Sequence, residues 1–328
     1  MSTLTPARPV TPSALKTRPN RRSARIPKVR AKLTRREILT FYAFISPWII
    51  GFVVFTFLPM MASLGLSFTD WDSFQTPNFV GFANYIRLFT QDPLFWKSLL
   101  NTIYFAIVSV PITLLIALFL ANLLSKPLRG ARFFRTVIYL PALVPLVAAA
   151  MIFQWLLAPD SGPINSFLHL FGIQGPAWLI DANWVIPAII LLTVWQVGAG
   201  TILLIAALQG VPPELYEAAR IDGASLRQQF WRISVPMVTP ILFFNLITGV
   251  IAGFQVFSQV YVLTNGTSGP DNASLMMVPY VYDNAFRYFH MGYASALAWI
   301  LFIIIVVLSA IILKTSRRWV FYESDVNE

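Results

Sequence analysis

The sequence predicts an all-α membrane protein with six transmembrane helices, and three observations lead to this fold class. Hydrophobic residues make up 57% of the 328 residues and charged residues only 12%, whereas a soluble domain is about half apolar and a quarter charged. Six stretches reach or approach the roughly 20 apolar residues that cross a bilayer. Basic residues are concentrated in alternate connections between these stretches. Lipid is therefore the predicted solvent for much of the chain.

The N-terminal segment, residues 1–37, is predicted to be a disordered basic tail. It carries eleven Lys and Arg residues and one acid, and it contains no sustained apolar run. Such a segment buries too little apolar surface to offset the entropy lost on ordering. A basic tail can bind nucleic acid, but its position directly before a span suits anionic lipid head groups. We therefore predict no nucleic-acid partner and a tail that lies against the bilayer.

Six apolar stretches define a transmembrane domain over residues 38–316, followed by a short tail, 317–328. Prolines interrupt several of the stretches, and membrane helices tolerate them because neighbouring groups bond the freed carbonyls. The predicted spans are approximately 41–67, 98–124, 136–157, 185–208, 239–263 and 293–313.

The distribution of charge predicts the orientation of the chain. With six spans, one side of the membrane holds the N-terminal tail, the 125–135 and 209–238 connections and the C-terminal tail. With the C-terminal segment counted from the end of the last predicted span at residue 313, these four segments carry 21 of the 24 Lys and Arg residues. Because basic connections remain on the cytoplasmic side, both termini and the 209–238 connection are predicted to be cytoplasmic.

The connection 209–240 contains the signals of a helix–turn–helix. Pro213 suits the first position of a helix, and Gly223 suits the left-handed residue that ends it. Ser225 and Gln228 have the spacing of a capping box for a second short helix. Two uses of this connection remain open from these residues: a docking surface for another protein, or an amphipathic helix that covers the inner end of the bundle.

The run EAARIDGASLRQQFWRISVPMVTP, residues 217–240, resembles the EAA loop of binding-protein-dependent ABC importer permeases. Residues 84–102 and the ending RRWVFYE, residues 317–323, are similar to the sugar-importer branch of that family. Arg220 departs from the pattern, because that position is often small in the family. The matching residues of the loop are Glu217, Ala218, Ala219, Asp222, Gly223, Ala224, Phe230, Ile233 and Pro236.

The resemblance implies a six-helix ABC importer permease core with a cytoplasmic coupling-helix loop, in the inner membrane of a prokaryote. It implies three protein partners: a second permease subunit, an ABC ATPase dimer and an extracytoplasmic solute-binding protein. Glu217 would contact the ATPase, and Gly223 would permit the bend between the two short helices. The chain contains no GxxxxGK[ST] phosphate loop. Mg-ATP is therefore expected in the partner ATPase, and no enzyme activity or cofactor is expected here.

Uncharged polar and aromatic side chains within the spans are the candidates for the solute path. Amides both donate and accept hydrogen bonds, which suits hydroxyl-rich solutes, although isolated polar groups also hydrogen-bond between membrane helices. Gly249 and Gly253 form a GxxxG step that allows close helix packing. The candidate path residues are Gln154, Trp195, Gln196, Asn245, Thr248, Phe254 and Gln255.

The cargo implied by the resemblance is a mono- or oligosaccharide, and two alternatives remain. The same machine could import glycerol-3-phosphate or another polyol-like solute, although no Lys or Arg lies inside the predicted spans to meet a phosphate. The second alternative is a secondary transporter without an ATPase, which often has repeats and intramembrane ion sites; neither is evident here. The chain has no cysteine, and its two histidines are far apart, so no metal site is predicted.

Overall fold

The computed structural model describes residues 35–126 and 129–321. Most of these residues are helical, and they contain no β-strand beyond an isolated bridge between Thr69 and Phe79. The all-α class is therefore confirmed. The predicted tails lie outside the described residues except for 35–37 and 317–321. The helices are α1 (Arg35–Phe52), α2 (Leu58–Leu66), α3 (Ala83–Thr90), α4 (Pro93–Leu124), α5 (Ala131–Leu143), α6 (Leu146–Leu156), α7 (Pro163–His169), α8 (Val185–Trp195), α9 (Gly198–Gln209), α10 (Pro213–Ile221), α11 (Leu226–Gln229), α12 (Val235–Phe254), α13 (Ser258–Leu263), α14 (Met277–Tyr282) and α15 (Met291–Ser316).

Four of the described helical segments are long and apolar enough to cross a membrane: Arg35–Leu66, Pro93–Leu124, Leu226–Phe254 and Met291–Ser316. Two further segments are bent pairs, α5 with α6 and α8 with α9, and counting each pair as one span raises the number to six. The third and fourth predicted spans therefore correspond to broken helices.

Residues 35–57 form a compact unit that is described by itself. Helix α1 runs into one π-helical turn, Val53–Phe57. Large apolar side chains point outward along this unit, and Phe44 and Phe55 are 84% and 81% exposed. A helix that is apolar over its whole exposed surface is typical of a membrane span.

Helix α4 is the centre of the second unit, residues 58–321, and it packs against α8, α9, α12 and α14. Asp92 caps its first turn, where Oδ1 accepts hydrogen bonds from the backbone N–H groups of Leu94 and Phe95 at 2.9 and 3.2 Å. The other carboxylate oxygen accepts the hydroxyls of Tyr280, at 2.5 Å, and Tyr293. Burial, with donation to Asp92, raises the pKa of the Tyr280 hydroxyl. One carboxylate thus joins α4, α14 and α15.

The third predicted span, 136–157, is broken where α5 and α6 meet, and the two helices are bent by 99°. Val144 has extended backbone angles because it precedes Pro145, and a residue before proline is driven out of the α region. Pro145 also has no N–H to continue the helical ladder. The outer part of this segment, α6, packs instead against α7, α8 and α13.

The fifth predicted span, 239–263, also differs from the observed helices. Helix α12 ends at Phe254, and after a break at Gln255–Phe257 the chain forms the short helix α13. Helix α13 packs on α6 and α8. At its other end α12 begins earlier than predicted, because α11 and a π-helical turn, Phe230–Ser234, lead into it without interruption.

Glycines line two close contacts between helices. Gly198 of α9 faces the backbone of α5, and Gly249 and Gly253 of α12 face side chains of α4. A Cβ on Gly198 would lie 2.3 Å from the carbonyl oxygen of Ile138. Cβ atoms on Gly249 and Gly253 would lie 3.3 and 3.2 Å from side chains of α4. A side chain at Gly198 would therefore clash with the backbone of α5. Side chains at Gly249 and Gly253 would require only a small displacement of their neighbours in α4.

Gly198→Ala tests the contact between α5 and α9. Because the new methyl would meet a backbone carbonyl, we expect the free energy of unfolding to fall by about 1–3 kcal/mol. The measurement is the thermal unfolding midpoint in detergent. Gly65→Ala is the control, since a Cβ there has no neighbour within 4 Å. Equal midpoints for both variants would show that the contact is less tight than described.

Candidate functional site

A cavity of about 400 Å³ lies between α4, the break of α8 and α9, α12 and the first turn of α13. Its polar lining consists of hydroxyl and amide side chains, and its apolar lining consists mainly of small and branched residues. Within the described part of the chain, none of the lining residues carries a charge. The polar lining residues are Ser109, Thr113, Thr193, Gln196, Asn245, Thr248 and Gln259.

Three of the seven predicted path residues line this cavity: Gln196, Asn245 and Thr248. The packing glycines Gly249 and Gly253 also line it, because the contact that they make with α4 is at the edge of the cavity. These residues share a wall because α12 presents positions 245, 248, 249 and 253 on one face, at the spacing of neighbouring helical turns. The Asn245 amide also donates a long hydrogen bond, 3.5 Å, to the carbonyl oxygen of Gly200.

The other four predicted path residues do not line the cavity. Gln154 donates from Nε2 to the carbonyl oxygen of Val262 and to Oδ1 of Asn265, at 3.1 and 2.8 Å, and so bonds α6 to the end of α13. Trp195 is partly exposed and packs on Phe153. Phe254 is buried in the core formed with α4 and α15, and Gln255 is exposed just beyond the end of α12.

Sequence reasoning missed four polar lining residues: Ser109, Thr113, Thr193 and Gln259. Three of them are short hydroxyl residues in long apolar helices, and two of those, Thr113 and Thr193, bond the carbonyl four residues earlier in their own helix. A hydroxyl of this kind is indistinguishable in a sequence from one that only satisfies its own backbone. The spacing of Ser109 and Thr113, one turn apart on α4, is a signal that could have indicated a shared face.

Gln196 joins the two broken spans beside the cavity. It follows the last residue of α8, and its Nε2 donates long hydrogen bonds to the carbonyl oxygens of Pro141 and Val144, at 3.4 and 3.3 Å. Those carbonyls lie at the end of α5, where the ladder is interrupted. The side-chain amide at the break between α8 and α9 thus bonds backbone carbonyls at the break between α5 and α6. In an apolar surrounding such backbone groups need hydrogen-bond partners within the protein.

The predicted first helix, turn and capping box of the coupling loop, residues 209–240, are present, but its second helix continues into α12 instead of ending. Pro213 is the first residue of α10, and Gly223 has a φ of +78°, in the left-handed region. The turn is closed by the N–H of Ala224, which donates to the carbonyl of Ala219 at 2.8 Å. Ser225 and Gln228 form the capping box of α11. The half-buried Phe230 packs against the core made by α4, α9 and α12, and Pro236 lies in the first turn of α12.

Helix α10 has one inner and one outer face. Tyr216 lies on the inner face, where its hydroxyl shares a 2.9 Å hydrogen bond with Ser234 Oγ. The outer face consists of Glu214, Glu217, Ala218 and Ile221, all exposed. Ala219 is half-buried and belongs to the inner face, whereas Asp222 is exposed beside the turn.

Two large apolar side chains at the turn were not among the predicted site residues. Ile221 is 87% exposed and Leu226 is 71% exposed, and they flank Gly223 in sequence on either side. Both lie outside the predicted spans, so contact with lipid tails does not account for their exposure. In the sequence, the only signal that separates them from membrane-facing residues is their position next to the turn at Gly223.

These features define a class: an apolar helical bundle that encloses an uncharged polar cavity and carries a structured polar loop is a membrane transport protein. Residues 113–320 match the family described as "Binding-protein-dependent transport system inner membrane component". The chain belongs to that family, which confirms the resemblance carried by the loop.

Similar proteins cover most of the chain. The probable ABC transporter permease protein YesP of Bacillus subtilis is 40% identical over 297 residues, which are 90% of this chain and 96% of that protein. The lactose transport system permease protein LacF of Rhizobium radiobacter is 36% identical, covering 88% and 98%. The trehalose/maltose transport system permease protein MalF of Thermococcus litoralis is 32% identical, covering 88% and 97%.

A solved structure has the same fold. A chain in the crystal structure of a bacterial ABC transporter involved in the import of the acidic polysaccharide alginate is 25% identical and has a TM-score of 0.74. The match covers 86% of this chain and 96% of that one. The chain described here is thus an ABC transporter permease by family and by fold.

Gly223→Ala tests the turn of the coupling loop. Because a side chain at a φ of +78° is strained, we expect a local cost of about 1–2 kcal/mol. Hydrogen exchange should accelerate in residues 213–229 and not in the centre of α4. Gly210→Ala is the control, since Gly210 has a φ of −82°. Unchanged exchange in Gly223→Ala would contradict the left-handed turn.

Proposed function

We propose that this chain is the permease subunit of an ATP-driven importer of a neutral sugar, and that it forms half of the translocation pathway. The observation that carries the choice of cargo is the lining of the cavity, which is polar and contains no charged residue among those described. Hydroxyl and amide groups can both donate hydrogen bonds to sugar hydroxyls and accept hydrogen bonds from them. The similar proteins whose printed names include lactose and trehalose/maltose support the same class of solute.

Import of glycerol-3-phosphate by the same machine is less well supported. A phosphate is normally met by Arg or Lys, and the cavity lining has neither among the described residues. A secondary transporter is not supported, because the family to which the chain belongs is that of binding-protein-dependent systems.

The coupling loop is proposed to dock on a cytoplasmic ATPase dimer, which binds Mg-ATP. Its outer face offers the Glu217 carboxylate beside the small Ala218, so a partner can approach closely and place an arginine on the acid. Ile221 and Leu226 add the apolar contact that such a site needs at its centre. The inner face is held to the bundle by the Tyr216–Ser234 hydrogen bond, so a force on the loop reaches α12.

The proposed mechanism is alternating access. The second half of the coupling loop, from Leu226, and α12 form one helical run, Leu226–Phe254, and this run carries Asn245 and Thr248 into the cavity wall. Closure of the ATPase dimer would move the loop, and the run would shift that wall relative to α4. A second permease subunit supplies the other half of the pathway, and an extracytoplasmic solute-binding protein delivers the sugar. Both termini then face the cytoplasm, as the basic connections predict.

Asn245→Leu and Gln259→Leu test the cavity as the sugar path. Each removes an amide that can bond a sugar hydroxyl, so we expect transport into proteoliposomes of the assembled importer to fall at least about tenfold. The cargo is one of the sugars that stimulate ATP hydrolysis by the wild-type complex.

Gln255→Leu is the matched control for these variants, because Gln255 is exposed and lies outside the cavity. It should transport at the wild-type rate. Wild-type transport by both cavity variants would exclude the cavity as the path.

Glu217→Arg tests the docking surface. Charge reversal removes the acid and repels an arginine on the partner, so we expect the ATPase to dissociate about tenfold more readily while membrane insertion is unchanged. The measurement is co-purification of the ATPase in mild detergent. Asp160→Arg, the same change on an exposed residue after α6, should leave association intact. Equal association in both variants would make Glu217 an ordinary surface residue.

A further inference from the structure

A second cleft lies between the coupling loop and the end of α4, apart from the cavity of the proposed path. Its volume is about 670 Å³. It combines basic side chains with neutral donors and a few apolar residues. The lining residues are Asn122, Ser125, Lys126, Leu208, Tyr216, Arg220, Leu226, Arg227, Gln229, Phe230 and Ser234.

Three cations line this cleft, Lys126, Arg220 and Arg227, and no acid lines it with them. In the described part of the chain the one ion pair is Arg287 with Asp283, so these three cations have no carboxylate partner there. The three side chains are exposed, and a cleft lined by charges of one sign attracts counter-ions. The composition of the cleft therefore favours an anion.

The walls of the cleft are held in place by hydrogen bonds that do not use the cations. Tyr216, one turn before Arg220 on α10, is bonded to Ser234. The buried Gln229 donates from Nε2 to the carbonyl oxygen of Ala224 at 2.9 Å, which fixes α11 against the turn. A site whose framework is already bonded loses little entropy when a ligand binds.

The cleft adjoins the ends of α4 and α9, where two predicted spans end and the bilayer is expected to meet water. Asn122 and Ser125 are at the end of α4, and Leu208 is at the end of α9. Leu208 and Phe230 provide an apolar wall beside the cations. Basic pockets at the ends of membrane helices, with apolar surface next to them, bind the head groups of anionic lipids.

A neighbouring cleft of about 620 Å³ extends the basic surface along the same boundary. It shares Ser125 and Lys126 with the first and adds Arg132 and Arg135. Arg135 is already engaged, because its guanidinium donates to the carbonyl oxygen of Leu124 at 2.6 and 3.2 Å and so caps α4. Lys126 thus stands between two clefts that both lack an acid among their lining residues.

We propose that the cleft of Lys126, Arg220 and Arg227 binds a phosphate group, and that its source is the head group of an anionic phospholipid. The ammonium and the two guanidinium groups would hold the phosphate oxygens by charge-assisted hydrogen bonds. The acyl chains would lie in the bilayer beside the cleft. The lipid would then bridge the coupling loop and the bundle.

The experiment measures phosphatidylglycerol bound to the full chain in nanodiscs of phosphatidylcholine with increasing phosphatidylglycerol. Lys126→Gln, Arg220→Gln and Arg227→Gln are made singly and together. Each should weaken binding about fivefold. The matched control is the triple variant Lys314→Gln, Arg317→Gln, Arg318→Gln, which removes the same charge from exposed residues outside the cleft and should bind as the wild type does. If the cleft triple variant does not fold, the test is the comparison of lipid binding by the single Lys126→Gln variant with that of the wild type.

Two arms separate the possible ligands. Millimolar inorganic phosphate should not displace the lipid; complete displacement would overturn the lipid as the source. Added ATPase should leave the lipid bound; its loss would show that the cations contact protein instead. Equal weakening by the control variant, or wild-type binding by the cleft variants, would overturn the site itself. None of these readouts depends on transport, so the site can fail while the proposed function stands.

Discussion

The joint between the two broken spans, α5–α6 and α8–α9, is the interaction on which the rest of the structure depends. In an apolar surrounding a helix can break only where other groups bond the freed backbone. Gln196 donates a long hydrogen bond to each of the carbonyls of Pro141 and Val144, and the Val144 N–H also bonds the first of them. Gly198 lets α9 approach the backbone of α5. Helices α8 and α9 pack against α4, and α6 packs on α13 and α8. The polar cavity lies beside this joint, so the breaks position the site.

The cavity and the coupling loop are joined by one continuous element. The run from Leu226 to Phe254 begins at the exposed turn and ends in the cavity wall. A π-helical turn, Phe230–Ser234, lies between the loop and α12, and such turns are frequent at functional sites in helices. The C-terminal segment is anchored on the same helix, since the N–H of Phe321 donates to Thr239 Oγ1 at 2.9 Å. We infer that α12 carries force from the loop to the cavity.

Much of this architecture could be predicted from the sequence, because hydropathy and turn residues act locally. The capping box at Ser225 and the left-handed Gly223 follow from residue types at fixed spacing. The bend at Pro145 could not be predicted, because prolines within spans also occur in continuous helices, as Pro111 does in α4. That bend divides a span that the sequence predicts as one. Which face of a span turns inward depends on packing, and so Thr113 and Gln259 were missed.

The most direct test measures whether the loop and the cavity wall move together. This chain has no cysteine, so spin labels can be placed at Leu215→Cys, Thr248→Cys and Thr113→Cys without removing native thiols from it. Leu215 is exposed on α10 and lies outside the proposed docking face. In the importer assembled with its ATPase, ATP binding should change the distance between positions 113 and 248 and leave the distance between 215 and 248 constant. A constant 113–248 distance with a changing 215–248 distance would show that the loop moves without the cavity, and would contradict the account.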